Sequence, residues 1–130
     1  MRKLFMLLAV LLLLTACTKG KTQSLGEFFK DANVEHVEKV RIVDGSTGYK
    51  KTITDQEEID TFISLIKDIE FSPQENQEKR DGWRYDITLF DGVKEFQFGL
   101  HKIDDVYYDS NPDILPIVDS YYKKQDIKEE

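Results

Sequence analysis

Sulfur and imidazole are scarce in this chain: 130 residues hold one cysteine, Cys17, and two histidines, His36 and His101. A single thiol excludes an internal disulfide, a cysteine-based zinc cluster and a cysteine nucleophile in the body of the protein. A histidine zinc site would need both imidazoles to meet a carboxylate in space, and nothing in their spacing brings that about. Positive charge is also in deficit, with 18 Lys and Arg against 25 Asp and Glu, a formal net charge of −7. Phosphate backbones and anionic headgroups repel such a surface on average, so nucleic-acid binding and peripheral docking on a membrane are disfavoured. A phosphate-cradling loop is missing too: Gly45 and Gly48 are not followed by a Lys-Ser/Thr pair at a helix start.

What is present begins at the N-terminus. Arg2 and Lys3 precede an unbroken apolar run, Leu4 to Leu14, and Thr15, Ala16 and Cys17 follow at once. This is the three-part layout of a secretion signal. As a helix the run spans only ~16 Å, about half of a ~30 Å hydrocarbon core, too short for a stable transmembrane anchor. Leu14, Thr15, Ala16 and Cys17 resemble the lipobox of bacterial lipoproteins, in which cleavage falls between Ala16 and Cys17 and the Cys17 thiol carries a lipid. Residues 1–16 are therefore expected to be a signal peptide, residues 17–24 a lipidated cysteine with a flexible polar tether, residues 25–124 one folded domain and residues 125–130 a frayed charged tail. Removing Arg2 and Lys3 with the signal takes the remaining body to −9. Its attachment to the outer face of the cytoplasmic membrane would then come from the lipid, since a two-chain acyl group anchors stably where one chain is marginal.

Local patterns predict an α+β fold. Ser24 and Glu27 make a capping box before a short helix bearing Leu25, Phe28 and Phe29. Val37, Val40, Ile42 and Val43, a break over Asp44 to Gly48, and Tyr49 to Ile53 read as a hairpin. Thr54 and Glu57 suggest a second capping box, and Ile59, Phe62, Ile63, Ile66 and Ile69 recur at helical spacing. Residues Phe71 to Asp81 read as an exposed loop. Trp83, Tyr85, Ile87 and Leu89 alternate with polar residues, Asp91 and Gly92 turn the chain, and Phe96, Phe98 and Leu100 alternate on the way back. After a turn at Lys102 to Asp105, Val106 to Tyr108 is a third strand. Asp113 then caps a last helix with Pro116 in its first turn. The order α-ββ-α-βββ-α suggests an antiparallel sheet of about five strands with helices packed on one face.

Several groupings carry chemical interest. Asp104, Asp105 and Asp109 flank Tyr107 and Tyr108 and could offer oxygen ligands to a weak calcium or small-ligand site, although they lack EF-hand spacing. Turn aspartates are the plainer account. Asp55, Glu57, Glu58 and Asp60 could hold a cation, yet they sit where the helix macrodipole favours negative charge anyway. Trp83, Tyr85, Tyr107, Tyr108, Tyr121 and Tyr122 form either a stacking platform or core. No cofactor, metal site or catalytic set is expected.

The lipobox, the polar tether, the paired strands, the segment Thr52 to Lys67 and the Trp83 to Phe98 hairpin together resemble small lipoproteins of uncharacterised function from Bacillus-like bacteria. Only the lipobox is a specific motif, so the resemblance implies a Gram-positive envelope and a domain facing the cell wall but transfers no activity. Three functions fit: a non-enzymatic binding or interaction domain with an envelope protein partner, a small envelope enzyme using Asp86 or Asp109 opposite a histidine, or a cation or small-ligand sensor.

Overall fold

The computed structural model describes residues 21–130. The expected signal peptide, the expected Ala16–Cys17 cleavage and lipidation site and the start of the expected tether lie outside the described residues. Among the described residues eight strands and three helices run in the order β1 (Gln23–Ser24), α1 (Leu25–Asp31), β2 (Lys39–Asp44), β3 (Lys50–Ile53), α2 (Gln56–Ile66), β4 (Glu70–Pro73), β5 (Tyr85–Asp91), β6 (Lys94–Gly99), β7 (Lys102–Ile103), β8 (Val106–Asn111) and α3 (Ile114–Lys124). They form two antiparallel four-stranded sheets, β3-β2-β5-β6 and β1-β4-β8-β7. The fold class is α+β, but the single sheet of about five strands expected from the sequence is replaced by two. The difference arises at β1, β4 and β7, which are two to four residues long. Strands that short contain too few alternations to register as a period.

The first sheet is built on strict alternation. Val40 and Ile42 of β2 pair with Leu89 and Ile87 of β5, which pair in turn with Phe96 and Phe98 of β6. All six point to one face and are buried. On the other face Lys39, Arg41, Phe90, Glu95 and Gln97 are partly or fully exposed, with Thr88 of β5 buried among them at 2% exposure. Helices α2 and α3 carry the apolar residues of the core at helical spacing: Ile59, Phe62 and Ile66 on one, Ile114, Val118, Tyr121 and Tyr122 on the other. Phe62 meets Tyr121 with ring centroids 4.7 Å apart, and Tyr122 meets Tyr85 at 5.4 Å, so both helices lock to each other and to β5. Helix α1 ties the two sheets together: Phe28 packs edge-on against Phe71 of β4 and Tyr108 of β8, while Phe29 packs against Phe96 and Phe98 of β6.

The caps follow their chemistry. Ser24 Oγ accepts from Glu27 N at 3.3 Å, and Asp113 Oδ1 accepts from Leu115 N at 3.1 Å. At α2 the cap is Asp55, one residue beyond Thr54, accepting from Glu57 N at 3.3 Å. Two expectations at the ends of the domain are corrected. Gln23 and Ser24 are paired with Phe71 and Glu70 and so belong to the fold, not to a free tether. The tail does not fray: Ile127 packs against the core, and Lys50 and Glu130 exchange backbone hydrogen bonds of 2.9 and 3.2 Å. The physical reason is Lys51, a buried lysine whose ammonium donates to the carbonyls of Tyr122 at 2.7 Å and Gln125 at 2.9 Å and thereby draws the end of α3 and the residues after it across β3.

Candidate functional site

The alternation of β5 breaks at its first residues, and that break builds the most distinctive surface of the molecule. By period, Trp83 belongs on the buried face with Tyr85. The last paired residues of β2 and β5 are Asp44 and Tyr85, however, and the chain changes sides just before them. Arg84 turns inward, where its guanidinium ion-pairs with Asp44 and with Asp119 of α3 at 3.1 Å and lies 4.5 Å from the centre of the Tyr85 ring. Trp83 stays out, 57% exposed. The alternation of Trp83, Tyr85, Ile87 and Leu89, which would set all four on one strand face, therefore holds for the last three alone, which are buried. Its indole rests on Gly45, where any Cβ would stand 2.2 Å from the Trp83 carbonyl oxygen and 2.7 Å from ring atom Cε3. Gly45 N also donates to Arg84 O at 2.7 Å, fixing the backbone that carries the tryptophan.

The inward network is fully satisfied. Asp44 accepts from Ser46 N at 2.9 Å and from Ser46 Oγ at 2.7 Å as well as from Arg84. Burial pushes its carboxyl upward, but the Ser46 hydrogen bonds and the Arg84 guanidinium outweigh that and hold it below the usual carboxylate range. Asp119 is held low by hydrogen bonds from Tyr85 Oη at 2.6 Å and Lys123 Nζ at 3.0 Å. Burial in turn pushes the Tyr85 hydroxyl up, reinforced by Asp119, so that it remains a donor.

Trp83 stands between two clefts. One, about 490 Å³, lies against the exposed end of β5 and β6 and is lined by Asp86, Gln97, Gly99 and Lys102 with Asp104 and Asp105 of the β7–β8 turn. Gly99 is paired with Asp86 across the strands, and a Cβ added to it would contact Lys102, 3.5 Å from its carbonyl oxygen. Gln97 Nε2 donates to Asp86 Oδ2 at 2.6 Å. Desolvation raises the Asp86 carboxyl, with the Gln97 hydrogen bond and Arg41 opposing it incompletely. The other cleft, about 390 Å³, is lined by Arg80, Arg84, His101, Lys102, Tyr107 and Leu115 among others. Its cations are already engaged: Arg80 lies 4.5 Å over the Tyr107 ring, and Lys102 Nζ is 3.6 Å from Asp105.

The residues singled out in the sequence are dispersed. Tyr107 and Tyr108 are both buried, on opposite faces of β8. Tyr108 faces the core, and the Tyr107 hydroxyl accepts from Arg80 N at 2.9 Å beneath the segment that follows β4. Tyr85, Tyr121 and Tyr122 are buried as well, so the stacking platform is core, with Trp83 excepted. Asp104 and Asp105, with φ of 49° and 64°, form the two-residue turn between β7 and β8, a left-handed geometry that aspartate tolerates. Asp109 lies at the other end of β8 and accepts from Gln74 at 3.1 Å, and no group of three His, Cys, Asp or Glu able to hold a metal ion occurs among the described residues. The calcium arrangement of Asp104, Asp105 and Asp109 is thus not assembled. Asp86 and Asp109 face glutamines, not histidines, and His36 and His101 line separate clefts.

Gln97, Gly99 and Lys102 were not singled out by sequence reasoning, and the exposure of Trp83 ran against its alternation. The one available signal was Gly45, placed where the pairing of β2 with β5 must end. No protein family, curated protein or solved structure matches the chain. Among the described residues no helix is long and apolar enough to cross a membrane.

Proposed function

We propose that this protein is a lipid-anchored extracytoplasmic binding domain, non-enzymatic, in which residues 1–16 direct export, Cys17 carries the lipid and the folded body presents the Trp83 surface to a partner in the cell envelope. The anchor rests on the agreement of Arg2 and Lys3, the Leu4 to Leu14 run and the Leu14 to Cys17 junction. The binding role rests on one observation above the others: the only tryptophan of the chain is 57% exposed while it is seated on Gly45 and bordered by clefts on both sides. An exposed large aromatic is an informative departure from burial, and a rigid one beside concave, polar-lined surface has the character of an interface anchor.

Two measurements test this reading. Metabolic labelling with a radioactive fatty acid should mark the wild-type chain and leave Cys17→Ser unlabelled and uncleaved; an unlabelled wild type with Met1 to Ala16 still attached would remove the anchor. A photo-crosslinking residue at position 83 should capture a discrete envelope partner in cells, whereas the same residue at Leu65, exposed on α2, should not. Equal capture at both positions, or none at position 83, would remove the binding surface.

A further inference from the structure

We propose that the cleft between Trp83 and the β7–β8 turn receives a cationic side chain, ammonium or guanidinium, from a basic peptide segment of the partner. The inference rests on the reading of Trp83 as a binding surface and names the chemistry of what it binds. The indole supplies the wall. A cation over an aromatic face is attracted by the ring quadrupole, most strongly by tryptophan, and Trp83 is the ring left open to solvent beside this cleft.

Charge selects among possible occupants. The cleft is lined by Asp86, Asp104 and Asp105 against Lys102 alone, and that lysine is committed to Asp105 at 3.6 Å and to the Tyr107 ring at 5.4 Å from its centroid. An anionic ligand would meet net repulsion, and the −7 charge of the whole chain steers cations toward it. The carboxylate nearest the floor is also oriented. Gln97 holds Asp86 Oδ2, which fixes the plane of the carboxyl and leaves Oδ1 as an acceptor. Opposite it across the strands stands Gly99, which adds no side chain of its own to the cleft lining. The cost of desolvating Asp86, already incurred in the folded protein, need not be met again on binding, which is the advantage of a preorganised site.

Because Trp83 is the only tryptophan, its emission reports on the surface around it without background, and the Asp86 and Asp104 variants, which line this cleft and not its neighbour, assign a change to it. Full-length protein in detergent is titrated with a hexa-arginine peptide, a hexa-glutamate peptide and an uncharged N-acetylglucosamine trimer, with calorimetry alongside. The expected result is a saturable emission change with hexa-arginine alone. Asp86→Asn should weaken it about three- to five-fold, and so should Asp104→Asn. Asp68→Asn, an exposed change of equal charge at a residue that lines a different cleft, should leave it unaltered, and so separates a site from general attraction. Trp83→Phe, read by calorimetry, should bind more weakly while melting like the wild type. A response to the neutral sugar, or equal weakening by Asp68→Asn, overturns the cationic assignment while the Trp83 surface stands. Silence toward all three probes together with no crosslink at position 83 overturns both.

Discussion

Replacing Gly45 with alanine tests the geometry on which the Trp83 surface depends. Gly45 is not among the glycines with positive φ, so an alanine meets no backbone objection there and the effect is purely steric. The added Cβ would stand 2.2 Å from the Trp83 carbonyl oxygen, 2.7 Å from Cε3 and 3.0 Å from Cζ3. The indole can swing away from the last two contacts, but the carbonyl is main chain. It cannot retreat without stretching the 2.7 Å bond from Gly45 N to Arg84 O, next to the ion pairs of Arg84. Overpacking of this kind costs about 1–3 kcal/mol, and the weakened hydrogen bond about 1 kcal/mol more. A sum near ~3 kcal/mol, at roughly 4 °C per kcal/mol for a domain of this size, lowers Tm by about 12 °C. Circular-dichroism melts give the shift, and tryptophan emission should move at the same time because the ring leaves its seat. Gly48→Ala is the contrast: its φ is +79° with nothing within 4 Å of the added Cβ, so it should lose about 1–2 kcal/mol through backbone strain with no change in emission. A Gly45→Ala protein that melts within about 2 °C of wild type with unaltered emission would refute the packing of Trp83 on this glycine.

Asp86→Asn should raise Tm at neutral pH. Desolvation lifts the native carboxyl above its unfolded value, so the penalty is present above the native pKa and disappears as pH falls through it; a mutant no more stable than wild type at pH 7 would contradict this. Asp44 and Asp119 behave in the opposite sense. Their native pKa values are lowered, so their contribution is complete above the ordinary carboxylate value near 3.8 and is lost as acid passes through the lower native values; Asp44→Asn should therefore flatten the acid limb of a Tm-against-pH curve. Lys51→Met removes the donor to two carbonyls and should cost about 2–3 kcal/mol, with faster hydrogen exchange at Glu130 N; unchanged exchange there would mean that Lys51 does not hold the tail.

The long, regular elements were legible because their apolar residues repeat often enough to define a face. Ile59, Phe62 and Ile66 disclosed α2, and Ile87, Leu89, Phe96 and Phe98 disclosed the central hairpin. What escaped was set by pairing between distant segments. Phe71 reads as the start of a polar loop, yet it is fully buried because β8 and β1 pair on either side of β4. The docking of the tail depends on Lys51, seventy-one residues from its acceptor Tyr122, and an isolated lysine within a strand gives no hint of it. The site was the least legible part. Continued alternation placed Trp83 indoors, and only the point at which β2 stops pairing with β5 turns Arg84 in and the tryptophan out. Asp104 and Asp105 were singled out and do border the cleft, but of the tyrosines beside them Tyr108 faces the core and Tyr107 is buried under the Arg80 segment, and Asp109 is elsewhere.

If Cys17 carries the lipid proposed above, the pairing of Gln23 and Ser24 with β4 sets how far the body can stand from a bilayer. From Cys17 to Gln23 the chain can reach at most roughly 20 Å, whereas a body of this size has a radius of gyration of about 13 Å and is wider than that leash is long. With a lipid on Cys17, the β1 margin would stay within roughly 20 Å of the headgroups. The opposite margin of the same sheet is β7, three strand spacings or ~14 Å away, and it is there that Asp104 and Asp105 close the cleft. So short a stalk would keep the tryptophan's side of the molecule within roughly 35 Å of the headgroups, so that a partner is met close to the membrane.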